Sequence, residues 1–565
     1  MQIADIATLI VYFAVVAGLG LWTAGKVRNM ADFVMPRKFG KTMMLFFGFG
    51  AGTHSDQAVS VAAKSYTNGM SGIWYQWLWL FATPFYWLIA PMMRRFRALT
   101  TADVFELRFS RSVAMLFAVV GLLQYTVNIG VMLKGSSAVI EASTGGLVHA
   151  DWAIVIMTVL FVAYGMAGGL HAAILTDLIQ GILTVLFSFL LLPFIMHAVG
   201  GLSGLRENVS PDMLSLVAPA EIGIFYITII AFNGLVGIVA QPHFMGNCAA
   251  GRTELDGQVG MMGGSFLKRI CTIAWTLTGV AAIAFFAAEG ISDTHPDQVF
   301  GEVAHRFLPQ ILPGLLGLFI AGLLASVMST CDAYMISTAG LFTENIYKKL
   351  KPGESEKHYL LIARLASLGI VIAGVVFAFM LEDVVAGLEI FWKIGPMLGI
   401  AFWLGLFWRR KNSAGSWAST LTAFAMWWFT SQAFFVEAVA ELPFAESLKL
   451  VFAKGDSLVI FLPWQMIIYL AAGMLGGIVA SLVTDRPEEQ RLERFYALIR
   501  TPVREGEEIT APCQVPEDSP TLSPRKLLPF KSLEVYVPSK QLVIGFAVGW
   551  VIVIAMVAFV FGLLR

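Results

Sequence analysis

Apolar residues in this chain come in blocks of about twenty, repeated from residue 6 to residue 563, and few folds are open to a chain written that way. Each block is as long as a helix must be to cross a hydrocarbon core of about 30 Å. Lipid offers no partners to backbone N–H and C=O groups, so the blocks must be helices or the strands of a closed barrel. Barrel strands alternate in polarity over about ten residues, and no such alternation is present. The chain is 57% hydrophobic and 13% charged, against about 25% charged in soluble domains. Its formal net charge of zero gives no basic surface for nucleic acid. The fold class expected is an all-α polytopic membrane protein. The blocks predict 14 transmembrane helices, at 6–25, 43–64, 73–93, 113–140, 152–168, 172–197, 222–241, 270–289, 312–347, 360–380, 387–408, 415–435, 461–483 and 541–563.

Lys and Arg orient these spans. With the N-terminus outside, the inner segments 26–42, 94–112, 242–269, 348–364, 409–411 and 485–540 hold 30 basic residues. The outer connections hold six: Lys64, Arg206, Arg306, Lys449, Lys454 and Arg565. Basic residues collect on the cytoplasmic side, so the asymmetry places the N-terminus outside and the 485–540 loop in the cytoplasm. Asp5 precedes the first apolar run while Lys26 and Arg28 follow it, the reverse of a cleavable signal peptide. The four cysteines form no CxxC pair and the histidines no HExxH motif, so neither a transition-metal site nor a disulfide framework is expected. The loop 485–540 carries eight prolines and mixed charge, and reads as a linker that begins with one short surface helix.

Polar groups inside a membrane are costly, about 3 kcal/mol for a charge at the centre, and they mark cavities, ion paths or polar partners. The second span carries Thr53, His54, Ser55, Asp56, Gln57 and Ser60, just after Gly48, Gly50 and Gly52. Glycines weaken a helix, and a broken helix exposes carbonyls that can bind a cation or a solute; otherwise these groups are satisfied by neighbouring helices. In the ninth span Ser326, Ser329 and Thr330 share one helical face, as hard ligands for Na⁺ or as a close helix–helix contact. Gln76 among tryptophans, Gln124 with Asn128, and Asn233 are amides that suit a polar solute or an interhelical hydrogen bond. Glu389 and Lys393 are spaced for an i,i+4 ion pair, although Lys393 can instead meet an anionic substrate group. Asp177 can receive a departing cation or cap its helix.

Four stretches together resemble the sodium:solute symporter family, which includes the sodium/proline, sodium/glucose and sodium/pantothenate carriers. They are GAGTHSDQAVS with NGMSGIWYQW, YGMAGGLHAAILTDLIQG, ASVMSTCDAYMISTAGLFTENIYKK, and IGPMLGIAFWLGLFWRRKNSAGSW. The likeness runs from about residue 6 to 484. It implies the leucine-transporter-like inverted 5+5 repeat, with one extra N-terminal and three extra C-terminal helices. Repeats of about 43–197 and 222–408 would lie within a transporter domain at 1–484. The cytoplasmic loop 485–540 and a last transmembrane helix at 541–565 would follow. Spans 2 and 7 would be the broken helices. The resemblance places Na⁺, the coupling ion, at backbone carbonyls of His54, Gln57 and Ser326 and hydroxyls of Ser329 and Thr330. It puts Asp56 beside that site and Asp177 on the exit path. Solute contacts would come from Gln76, Asn128 and Asn233, with Asp56 and Lys393 as further candidates. His54 and Gln57 replace smaller or apolar residues, and Val236 stands where sugar carriers have a gating aromatic, which weighs against a sugar.

The implied function is sodium-coupled symport of a small organic solute (amino acid, sugar or carboxylate) across the cell membrane by alternating access, with no enzymatic activity. A proton-coupled carrier of the same fold and a transporter-like sensor are the alternatives. The sensor would carry a signalling domain after the last span, whereas the sequence ends at Arg565.

Overall fold

The computed structural model describes residues 1–24, 35, 37–218, 221–454, 457–507, 509, 511–516, 519, 522 and 525–564; Lys26, Arg28 and Arg565, used above for orientation, lie outside them. Its principal helices begin with α1 (Ile3–Ala24), α2 (Lys41–Gly50), α3 (Ser55–Asn68), α4 (Thr83–Arg95), α5 (Arg111–Ser143) and α6 (Ala150–Leu190). Then come α7 (Ile224–Ile238), α8 (Phe244–Ala249), α9 (Gly264–Ala288), α10 (Leu315–Phe342), α11 (Glu356–Met380) and α12 (Val384–Phe407). The chain closes with α13 (Ser413–Thr430), a hairpin of β1 (Val451–Lys454) and β2 (Ser457–Ile460), α14 (Leu462–Val483), α15 (Glu489–Arg500) and α16 (Lys540–Leu564). Short polar residues set many of the boundaries. Ser110, Asp383 and Asn412 cap α5, α12 and α13, each accepting a hydrogen bond from a backbone N–H of the first turn.

Among the described residues, eight helices are long and apolar enough to cross a bilayer, and three shorter apolar helices lie at Ile3–Val16, Ala150–Val162 and Ile224–Ile238. Eleven of the fourteen predicted spans have a counterpart in this set, and the second, third and twelfth do not. The second is two helices, α2 and α3, separated at 51–54. The third passes through a 3₁₀ turn (Gly69–Ile73) and a short helix (Trp74–Trp77) before α4. The seventh stops at Ile238 and resumes at Phe244. No helix end separates the fifth from the sixth, since the backbone is helical throughout α6.

The eighth span starts earlier than its hydropathy suggests. A Thr253–Asp256 capping box begins a helix at Glu254, which runs through a π-turn (Val259–Gly263) into α9. Lys268 and Arg269, counted above among cytoplasmic loop residues, therefore sit inside this helix and are buried. An apolar window begins where the charges end, whereas the helix begins at its cap. Burial ranks the helices by position. The most apolar stretch of Leu315–Leu350 is 89% buried and runs through the middle, whereas that of α16 is 28% buried and lies at the periphery. Leu361, Leu365, Ile372, Val376 and Phe379 on α11 face outward, as a helix surface bathed in lipid does.

Basic residues also terminate helices. Arg108 donates to the carbonyls of Gly405, Trp408 and Lys411 at the end of α12, at 2.8–3.0 Å. The described part of the 485–540 segment is docked on the helices. Its helix α15, predicted from sequence, buries Leu492, Phe495, Tyr496, Leu498 and Ile499. Arg409, just after α12, holds Glu493 and Glu534 at 2.8 and 2.6 Å and also Glu489, while Arg97 pairs with Glu507.

Candidate ion and solute site

Three elements meet at the break in the second span. The helix α2 ends at Gly50, the backbone is non-helical through 51–54, and His54 is extended before α3 begins. The break leaves carbonyls without helical partners, and side chains from α10 and α9 reach them. Thr330 donates its hydroxyl to the Gly50 carbonyl at 3.0 Å, and Ser329 donates to Asp177 at 2.6 Å. A Cβ on Gly50 would lie 2.4 Å from the Ser329 hydroxyl, so only glycine lets the three segments approach this closely. Gln57 donates to the Gly52 carbonyl at 3.3 Å, and Lys268 donates to the same carbonyl.

Thus Ser329, Thr330 and Asp177 converge on the end of α2. One oxygen of Asp177 is buried without a hydrogen-bond partner. An orphan carboxylate oxygen beside two hydroxyls and a carbonyl forms an all-oxygen donor set, which fits a hard cation such as Na⁺. Ser326 bonds back to Leu323 within its own helix, at 2.8 Å. The carbonyl of His54 accepts from the Gln57 N–H at 3.1 Å, and that of Gln57 accepts from the Ser60 hydroxyl at 3.2 Å.

The same break borders a cavity of about 60 Å³ between the two interrupted helices. The first break contributes Gly52, His54 and Gln57, and the second contributes Gln241, His243 and Asn247. Trp79, Tyr334, Lys268 and Arg269 complete much of its wall. His54 pairs through Nδ1 with Asp56, which is fully buried, and through Nε2 with Gln57 at 3.0 Å. A second, larger cavity of about 640 Å³ is lined by Lys64, Tyr75, Glu221, Glu389 and Lys393 among others. Tyr75, Trp79 and Trp392 pack as an aromatic layer between the two, with ring centroids 5.2 and 6.2 Å apart.

None of the five residues expected to contact solute lines the central cavity directly. Asn128 stands one bond away, donating to Tyr334, and Asp56 stands behind His54. Asn233 donates to the Trp392 carbonyl at 3.0 Å and accepts from Tyr469 at 2.5 Å, which ties it into the helix packing. Gln76 is buried with both amide atoms unpartnered. Lys393 lines the larger cavity instead. Sequence reasoning missed His243, Asn247, Lys268 and Arg269. The signal for the last two was present in Thr-x-x-Asp at 253–256, which starts the helix early enough to carry both cations inward.

Paired helix breaks with a hydroxyl-bearing third helix against one of them can be compared with known proteins. Residues 39–423 match the sodium:solute symporter family. The chain belongs to that family. Its members are carriers rather than enzymes, and this chain is a multi-pass membrane protein. It is 26% identical over 446 residues to a sodium/pantothenate symporter of Haemophilus influenzae, covering 74% of this chain and 89% of that protein. It is 24% identical over 517 residues to an osmoregulated proline transporter of Bacillus subtilis, covering 88% of this chain and 98% of that one. Its fold resembles a solved Na⁺-coupled sialic acid symporter in a substrate-bound, outward-open state. The TM-score is 0.68 and the identity 18%, over 86% of this chain and 99% of the other.

Proposed function

We propose that this member of the sodium:solute symporter family couples inward movement of Na⁺ to uptake of a small organic solute by alternating access. The observation that carries the reading is the convergence of Ser329, Thr330 and Asp177 on Gly50, where α2 breaks off. The hydroxyls of Ser329 and Thr330, with carbonyls released by the break, would hold Na⁺, and Asp177 would receive it on the way out. In the bound arrangement His54, Gln57 and Ser326 supply carbonyls. Solute sits between the two breaks, in the cavity that His54 and Gln57 line, with Asp56 and Asn128 supporting its wall. Lys393 belongs to the route from the larger cavity, whereas Gln76 and Asn233, expected from the resemblance to touch solute, line neither cavity. The N-terminus is outside and the 485–540 segment cytoplasmic. Residues 1–484 form the transporter unit, with inverted repeats at about 43–197 and 222–408.

Sodium is an effective driver because each charge that crosses the membrane yields about 2.3 kcal/mol per 100 mV. Uptake into proteoliposomes should require an inward Na⁺ gradient, and equal uptake with K⁺ in its place would sink sodium coupling. Ser329→Ala with Thr330→Ala should raise the Na⁺ concentration for half-maximal uptake about tenfold or more, since two of the ligands are removed. An unchanged sodium dependence would take both hydroxyls out of the site. The buried His54–Asp56 pair beside Lys268 favours proton coupling as the second reading. That reading expects uptake driven by a pH gradient in sodium-free buffer.

A further inference from the structure

The central cavity has an unusual charge balance for a site inside a membrane. Lys268 and Arg269 both line it, and among the described residues no carboxylate does. Their cationic groups lie 5.6 and 5.7 Å from the centroid of the Trp79 ring, so both cations meet the same aromatic side chain. Lys268 has a partner in the Gly52 carbonyl. Arg269 is 3% exposed, and its Nε and Nη1 are buried with no hydrogen-bond partner. Asp56, behind His54, is the nearby carboxylate, and it can offset one of the two cations but not both. A buried guanidinium with unmet donors is among the costliest groups to leave uncompensated, and partner removal is far more damaging than the absence of the whole pair. A site that retains one is built for a counter-ion that arrives with the ligand.

We infer that the solute carries a carboxylate and no ammonium group, and that Arg269 receives the carboxylate in the central cavity, with Lys268 beside it. This rests on the transport reading and deepens it. The planar guanidinium offers a carboxylate a two-pronged edge, and either edge includes one of the two donors that the protein leaves open. Space agrees. About 60 Å³ is the share of two water molecules at ~30 Å³ each, enough for a carboxylate head group. A hydroxylated ring brings donors of its own and leaves the second cation uncompensated. A zwitterion brings a further positive charge to a wall that has no carboxylate to meet it.

The test uses the full-length protein in detergent and in proteoliposomes, with thermal stabilisation read in Na⁺ and in K⁺. The probes are acetate, propionate, L-lactate, pyruvate and pantothenate, each beside its amide, together with D-glucose, myo-inositol and L-proline. The expected result is Na⁺-dependent stabilisation by one or more carboxylates and none by the matching amides. Arg269→Gln should then weaken that carboxylate at least tenfold and Arg269→Lys by less. Na⁺ alone should still stabilise both variants, which shows that they are folded with the ion site intact. Na⁺-dependent stabilisation by a sugar, an amide or proline in preference to the carboxylates overturns the inference and leaves the transport reading standing. An Arg269→Gln protein with affinity within twofold of wild type also overturns it. If no probe stabilises in Na⁺ any better than in K⁺, the transport reading fails together with the inference.

Discussion

At the scale of single residues, Gly50 shows how closely the site is packed. A Cβ there would meet the Ser329 hydroxyl at 2.4 Å, with the Asp177 carboxyl carbon at 3.5 Å. Gly50→Ala should push α2 away from α10, costing about 1–3 kcal/mol as overpacking does. A lowered melting temperature together with weaker Na⁺ affinity is the expected outcome; an unshifted melting curve would mean that the contact is loose. Ser329, Thr330 and Asp177 were legible in the sequence because polar residues within an apolar run stand out. Arg269 was not, because it sits at the edge of such a run, where charge usually means a loop. The amides mark the other limit. Asn233 and Gln76 are equally conspicuous as letters, yet one is tied to Trp392 and Tyr469 while the other has unmet donors and acceptors. Only the neighbours brought up by folding separate a packing amide from a ligand-binding one.

At the scale of elements, the interruptions in spans two and seven create the cavity, because an intact helix has no carbonyls to spare at mid-membrane. The glycines at 48, 50 and 52 marked the first interruption in advance, and the structure puts it at 51–54. The 485–540 segment is the other element whose placement matters, since it straps the ends of α4 and α12 through carboxylates. The hydrogen bond from Arg409 holds Glu493 below the usual carboxylate range, and Arg500 adds to the effect. Burial pushes Glu534 up, but hydrogen bonds from Tyr536, Arg409 and Lys526 outweigh it, so this group too is held low. Acids whose folded pKa is depressed stabilise the docked form above their unfolded value, about 4.3, and lose that contribution as pH falls through the folded value. The strap should therefore resist an acid-active protease down to about pH 4.5 and become cleavable below about pH 4. Loosening already near pH 6.5 would mean that a histidine, not these glutamates, holds it. Arg409→Ala, which removes the partner shared by Glu489, Glu493 and Glu534, should make the same segment cleavable at neutral pH.

At the scale of the whole molecule, the Ser329–Thr330–Asp177 cluster and the central cavity both border one break, and α10 serves both, with Thr330 on the first and Tyr334 on the second. Anything that orders the break for one ligand orders it for the other. Sodium and solute should accordingly raise each other's affinity by the same factor, of order 5–150-fold. Titrating each in the presence of the other checks this, and a factor of one would mean that the two ligands do not share one conformational equilibrium. The sequence by itself determined that the chain crosses a membrane many times as helices, and that its second and ninth spans carry polar groups within apolar runs. Apolar length and local polarity are properties of the chain in order, so they need no fold to be read. The tertiary structure alone decided that the two interruptions face one cavity, that Lys268 and Arg269 turn into it, and that Asn233 is tied into the helix packing. Those outcomes depend on contacts between residues hundreds of positions apart, and no spacing along the apolar blocks encodes which of them will meet.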